Sequence, residues 1–161
     1  MGNEGGRGMQ IGVISDTHGL LRPEALAALQ RVDLIVHAGD VGNPEILARL
    51  KKIAPVFAVR GNVDTEKWAW ELPETSVVQA DGASLYLVHD LRQLDVSPKG
   101  AGIDIVISGH THQAEQWERD GVLYLNPGSA GPRRFKLPVT LARIDLGTQP
   151  WNVEIVELSA V

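Results

Sequence analysis

Short apolar runs recur along this chain, and each of the early ones stops at a polar residue. "MQIGVIS" ends at Asp16, "VDLIVHAG" at Asp40, and "IAPVFAVRG" just before Asn62. Their length and their Val and Ile content are those of buried strands. Between them lie "RPEALAALQ", with Pro23 in a first-turn position, and "NPEILARLKK", with Asn43 as N-cap, Pro44 behind it, and Lys51 and Lys52 in the last turn. Both carry the start signals of helices. The order β-α-β-α-β predicts parallel strands with right-handed crossovers.

From about residue 75 the texture changes to short strands separated by turns: "TSVVQA", "ASLYLVH", "IDIVISGH", "QAEQWE", "VLYLNPG", "PVTLARIDL" and "WNVEIVEL". Asp81-Gly82 and Asp120-Gly121 each sit between two such runs, a strong hairpin signal. The last two runs alternate apolar and polar residues, as half-exposed antiparallel strands do. Between "LVHD" and "IDIVIS" there is room for one short helix at most. These patterns predict one α/β domain with a parallel first half and an antiparallel second half, built as two packed sheets flanked by helices.

Bulk properties narrow the function. The 161 residues are 43% hydrophobic and 22% charged, with net charge −5. That is a soluble globular composition with no basic footprint for stable nucleic-acid binding. There are no cysteines, so disulfides and zinc-thiolate sites are excluded, and any metal must be held by His, Asp, Glu, Asn or backbone oxygen. No apolar stretch reaches the ~20 residues of a membrane span. "MGNEGGRG" lacks the apolar region of a secretory signal. Residues 1–8 are therefore expected to be a flexible leader, residues 9–161 a single domain, and the location cytoplasmic.

Metal-competent side chains cluster at the strand ends: Asp16 and His18 after the first, Asp40 after the second, and Asn62 after the third. His89 follows "LYLV", and His110 and His112 follow "IVISG". Singly, each has an ordinary explanation as a turn, a cap or a structural histidine. Together they fall where open α/β sheets bind ligands, beyond the carboxyl ends of the strands. Imidazoles, carboxylates and an amide oxygen suit Mn²⁺, Fe²⁺, Zn²⁺ or similar ions. Seven side chains are too many for one tetrahedral ion and about enough for two ions sharing a carboxylate, for which Asp40 is the central choice. Such a pair retains positive charge and would attract an anion such as a phosphate ester.

Asp-x-His, Gly-Asp, Gly-Asn, His and Gly-His-x-His, here "DTH", "GD", "GN", His89 and "GHTH", resemble the signature of the calcineurin-like metallophosphoesterases. The small size, "RGNVD" and "NPGS" at 126–129 are most similar to the YfcE-type phosphodiesterase branch. The resemblance implies a four-layer αββα sandwich of two mixed sheets flanked by helices. It also implies a dinuclear centre, one ion on Asp16, His18, Asp40 and His112 and the other on Asp40, Asn62, His89 and His110. The ions would be manganese, with iron, zinc, nickel or cobalt as alternatives, and a metal-bridging hydroxide would be the nucleophile. The expected activity is hydrolysis of a small phosphodiester. The alternatives are a phosphomonoesterase or nucleotidase with the same site, or a protein-binding scaffold like the retromer subunit that shares this fold.

Two positions depart from the family pattern. Val63 follows Asn62 where many relatives have the His that meets the leaving group, and Asp90 follows His89 where Gly is usual. Asp90 would orient the His89 ring or repel an anion. Asp64 is expected to orient a ligand or cap a turn, and Arg60 to pair with a carboxylate or contact a phosphate. Arg133 and Arg134 are candidate phosphate contacts or members of a solvated loop, and His37 is expected to support the end of its strand. Trp68 and Trp70 would pack in the core, line a substrate lip or form a contact between copies in a homo-oligomer.

Overall fold

Two five-stranded sheets pack face to face in the computed structural model, which describes residues 8–134 and 136–158. In chain order the elements are β1 (Gln10–Ile14), α1 (Pro23–Ala28), β2 (Leu34–His37), α2 (Pro44–Leu50), β3 (Val56–Ala58), β4 (Thr75–Ala80) and β5 (Ala83–Val88). They continue as β6 (Ile105–Ile107), β7 (Ala114–Arg119), β8 (Val122–Pro127), β9 (Thr140–Asp145) and β10 (Asn152–Glu157), with 3₁₀ turns at Lys67–Glu71 and Leu91–Gln93.

The first sheet has the order β10-β9-β1-β2-β3 and the second β4-β5-β6-β8-β7. As expected, β1, β2 and β3 run parallel. Both Asp-Gly pairs make two-residue hairpin turns with positive φ at each residue, 47° and 84° at Asp81-Gly82 and 55° and 79° at Asp120-Gly121. At α2, Asn43 Oδ1 accepts from the Glu45 amide at 2.8 Å with Pro44 behind it. Arg49, rather than Lys51 or Lys52, occupies the last turn.

The prediction of an antiparallel second half needs correction, because β5 pairs parallel to β6 and β6 parallel to β8. A crossover over residues 89–104 returns the chain to the same end of the sheet, and the 108–113 loop carries β7 past β8 to the sheet edge. The C-terminal β9 then joins the first sheet antiparallel to β1. Each sheet is therefore mixed.

Strand alternation divides the core. Ile11, Val13, Leu34 and Val36 meet Leu85, Leu87, Ile105, Ile107 and Leu125 between the sheets. On the opposite face of the first sheet, Ile14, Ile35 and Leu141 pack on Ala25 and Leu29 of the α1 region and on Ile46, Leu47 and Leu50 of α2. The outer face of the second sheet has a thinner cover, where Tyr86, Val88, Val106 and Val122 pack with Ile103, Leu91 and Leu94 beside the Leu91–Gln93 turn. The sandwich thus has two mixed sheets, a full helical layer on one side and a single 3₁₀ turn with its loop on the other. No helix among the described residues is long and apolar enough to cross a membrane. Residues 1–7 of the expected leader lie outside the described residues, and Gly8 is buried against Gly147.

Candidate metal centre

Because β1, β2, β3, β5 and β6 share one direction, their carboxyl ends fall at one edge of the sandwich, and the seven polar residues project from the loops that follow. Backbone hydrogen bonds lace these loops together. Asp16 N donates to Gly39 O at 3.0 Å, His18 N to Asp40 O at 2.9 Å, and Gly109 N to His89 O at 2.9 Å. The approach is close enough that a Cβ on Gly61 would collide with the Asp40 backbone and carboxylate, and one on Gly109 with Ser15 and Asp16. The glycines before Asn62 and His110 are required by that proximity rather than by a turn.

Backbone strain concentrates here. Among the described residues, eight non-glycine residues have positive φ, and five of them are Asp16, His18, Asp40, His110 and His112. The other three are Arg31 and the hairpin residues Asp81 and Asp120. Left-handed backbone costs on the order of 1 kcal/mol or more per residue and persists where the surroundings enforce it.

Two triads with converging ligand atoms result, Asp16-His18-His112 and Asp16-Asp40-His89. In the first, His112 Nε2 lies 3.3 Å from His18 Nε2 and 3.5 Å from Asp16 Oδ1. In the second, His89 Nε2 is 3.2 Å from Asp40 Oδ2 and 3.9 Å from Asp16 Oδ1. Asp16 is common to both triads. Asp40 Oδ2 also lies between the groups, 3.6 Å from His18 Nε2. The remaining two residues stand together on the solvent side, with His110 Nδ1 3.3 Å from Asn62 Oδ1 and its ring edge-on to His89. His110 and His112 therefore meet different partners.

The charge pattern suits a cation. Asp16 Oδ2 accepts from the Ser15 hydroxyl at 2.7 Å and from the His110 amide at 3.1 Å. Its Oδ1, and His89 Nε2, are buried with no hydrogen-bond partner. Unpaired buried polar atoms of this kind are costly, and a divalent ion would satisfy both. Burial works to raise Asp16, yet the approach of His18 at 3.7 Å and the charges of His89 and His112 hold its carboxyl below the usual carboxylate range. Asp40 is likewise lowered against its burial by the nearby His89 ring and by the Val63 amide, which donates to Oδ1. The nearby Asp16 carboxylate raises His18, and Asp40 and Asp16 raise His89 against its burial, whereas burial lowers His112. The donor set, the anionic charge and the orphaned atoms together fit a metal.

Other candidates find definite partners. His37 is fully buried, which lowers it to about 4 and keeps it neutral. Its Nδ1 accepts from the Gly39 amide at 3.0 Å, so Nε2 carries the hydrogen and donates to Thr17 Oγ1 at 3.0 Å. Thr17 Oγ1 in turn donates to Val41 O at 2.8 Å. This chain ties the Asp16–His18 loop to the Asp40 loop. Asp64 does the same for Asp40 and Asn62, accepting from the amides of Val41, Gly42 and Gly61. Ser129 Oγ donates to Asp16 O at 3.0 Å.

Asp90 sits beside His110 rather than orienting His89, whose Nδ1 is held by Ala38 O at 2.8 Å. Asp90 caps the 3₁₀ turn and is gripped by the Arg92 guanidinium, which lowers its carboxyl to about 2. Its Oδ2 lies 3.8 Å from His110 Nε2. Arg60 pairs with Glu74 at 3.1 Å on the surface. Trp68 packs with the helical layer and Trp70 is exposed. Arg133 and Arg134 are exposed, and the charge of Arg134 acts on both His18 and His112. Ser15, Arg92 and Thr17 carried no sequence signal, because their roles depend on neighbours from other strands.

Two clefts flank the cluster. One of about 370 Å³ is lined by Arg60, Asn62, Glu74, His89, Asp90 and Asp95. A second lies on the His110 side.

Residues 9–149 match the family model of the calcineurin-like phosphoesterase superfamily domain. A probable metallophosphoesterase of Methanothermobacter thermautotrophicus is 40% identical over 165 residues, covering 94% of each chain. A phosphodiesterase of Methanocaldococcus jannaschii is 30% identical over 139 residues, covering 74% of this chain and 83% of the relative. Among solved structures, an archaeal phosphodiesterase superposes with a TM-score of 0.78 at 24% identity, covering 92% of this chain and 100% of that one. Vps29 of Entamoeba histolytica complexed with Zn²⁺ superposes with a TM-score of 0.73 at 24% identity, over 94% and 100% of the two chains. At that identity the last two show the fold.

Proposed function

The chain belongs to the calcineurin-like phosphoesterase superfamily and is a phosphoric ester hydrolase, and on that footing we propose that it is a cytoplasmic phosphodiesterase acting on small phosphodiesters through a dinuclear metal centre. The observation that carries this reading is the pair of triads sharing Asp16, with Asp16 Oδ1 and His89 Nε2 both orphaned between them. Asp16, His18, Asp40 and His112 would hold one ion, and Asp40, Asn62, His89 and His110 the other, with manganese first among the candidates. When bound, the ions would supply Lewis acidity toward the phosphoryl oxygens and activate a water as the nucleophile.

The residues of the chain do the rest. The Val63 amide holds Asp40 Oδ1 at 3.0 Å, which keeps Oδ2 turned toward His18 and His89. Arg134, which lines the cleft beside His110, would meet a non-bridging phosphoryl oxygen. The Val63 side chain, 46% exposed beside Asn62, can give no proton to a departing alcohol. That favours esters whose leaving group departs as a stable anion. A scaffold role is disfavoured because all seven polar positions are filled and five of them converge in the two triads.

The test is elemental analysis of the purified protein, followed by hydrolysis of bis(p-nitrophenyl) phosphate with Mn²⁺ and with chelator. Metal-dependent diester hydrolysis is expected. Preference for p-nitrophenyl phosphate would point to the monoesterase. Low metal content with neither ester cleaved would point to the scaffold.

A further inference from the structure

The cleft on the His110 side, about 520 Å³, runs from Gly109, His110 and Thr111 to Trp117. The metal-binding residues account for its near end only. At the far end, Trp117 on β7 and Tyr124 on β8 are direct cross-strand partners, and their rings stack with centroids 5.3 Å apart and planes 7° from parallel. Tyr124 covers one indole face and fixes the ring's tilt, while Trp117 remains 38% exposed on the cleft wall. A flat indole held on paired strands is a preorganised stacking surface, and it sacrifices little side-chain freedom when a second ring lands on it.

The polar groups along the cleft divide it. Glu115, two residues before Trp117 and on the same face of β7, lines the wall and offers a carboxylate to an N–H donor. Arg92 is committed to Asp90, with Nη2 2.7 Å and Nε 3.1 Å from its carboxylate oxygens, and so adds shape more than charge. Arg134 makes no ion pair among the described residues, and it lines the same cleft while acting on the His18–His112 side. One end is therefore suited to an anion beside the metal ligands, and the other to a planar ring bearing N–H groups.

We propose that this cleft is a specificity subsite for the base of a nucleoside phosphodiester. Trp117 stacks on the ring, Glu115 accepts from a ring N–H, and the phosphorus sits at the metal centre. The inference rests on the phosphodiesterase reading above. It adds a substrate class, a diester with one nucleoside arm, and assigns the preference to Trp117.

The experiment compares two substrates with one leaving group, thymidine 5′-(p-nitrophenyl phosphate) and methyl p-nitrophenyl phosphate, on the Mn²⁺-loaded protein. The nucleoside ester should have a KM at least about tenfold lower, from base stacking. Trp117→Ala should reduce the ratio of the two kcat/KM values at least fivefold, and Trp117→Phe should keep most of it. Equal KM values for the two esters, or a Trp117→Ala ratio within fivefold of the original, would overturn the subsite. Should neither ester be cleaved, it is the phosphodiesterase reading that has failed. Tryptophan fluorescence titrated with thymidine 5′-monophosphate then reports on the subsite separately. Quenching that Trp117→Phe abolishes supports it, and quenching that persists in Trp117→Phe, or none at all, rejects it.

Discussion

The two sides of the metal centre are built differently. Asp16, Asp40, His89 and His112 are buried, sit on backbone laced by hydrogen bonds, and are braced from below by the His37–Thr17 chain and by Asp64. Asn62 is exposed, His110 is only partly covered, and the Asp90–Arg92 pair beside His110 reaches the surface through its guanidinium. The difference teaches where rigidity is needed. A buried anionic pocket must be enforced, because without a cation its orphaned atoms are costly, whereas the solvent side can adjust to what enters the clefts.

If the buried side is the indispensable one, Asp40→Asn should lower turnover by more than about 10³-fold with the fold intact by circular dichroism. Wild-type turnover of Asp40→Asn with metals saturated would remove the bridging role from Asp40. Next, His112→Ala should cost more metal affinity than His110→Ala, and each should leave the other ion bound, as read by isothermal titration and elemental analysis. One common loss from either change would restore a single-ion site. Thr17→Val breaks the brace without touching a ligand, and a weakening of metal affinity of roughly 10- to 100-fold is expected.

Asp64→Ala leaves three amides without an acceptor, those of Val41 and Gly61 buried, and should destabilise the protein by about 3 kcal/mol in urea unfolding. An unchanged urea midpoint would mean that water replaces the carboxylate. His37 gives an effect of similar size that depends on pH. Folded, it stays neutral down to about pH 4, whereas an unfolded imidazole takes a proton near 6.5. The unfolded chain binds the extra proton between those values, so this contribution to stability is present above 6.5 and is lost toward 4, at up to about 1.4 kcal/mol per pH unit. Subtracting the pH profile of His37→Gln from that of wild type isolates it, and a flat difference would contradict the buried neutral ring. The smallest effect belongs to the open side, where Arg92→Ala should leave the melting temperature unchanged because the Arg92 side chain itself lies at the surface.

Much of the site was legible because its residues are punctuation. Asp16, Asp40, Asn62, His89 and the His110–His112 pair each end an apolar run, and strands that share a direction bring such ends to one edge. Asp90 does not orient His89, because Ala38 O holds that ring and the Arg92 guanidinium two residues on claims the carboxylate. Trp117 looked like an ordinary strand residue, since its significance comes from the partner opposite it.

By itself the sequence determined the elements and their caps: the Pro- and Asn-led helices, the two Asp-Gly hairpins, the alternation that buries one face, and the identity of the polar strand ends. These follow from periodicity and turn chemistry, which act over a few residues. Tertiary structure alone decided that the second sheet is mixed, that Asp16 joins both triads, that five of the candidate ligands take left-handed backbone, and that His37 and Asp64 brace them. Each of those depends on which distant strands become neighbours, and that is settled by the packing of the two sheets as a whole.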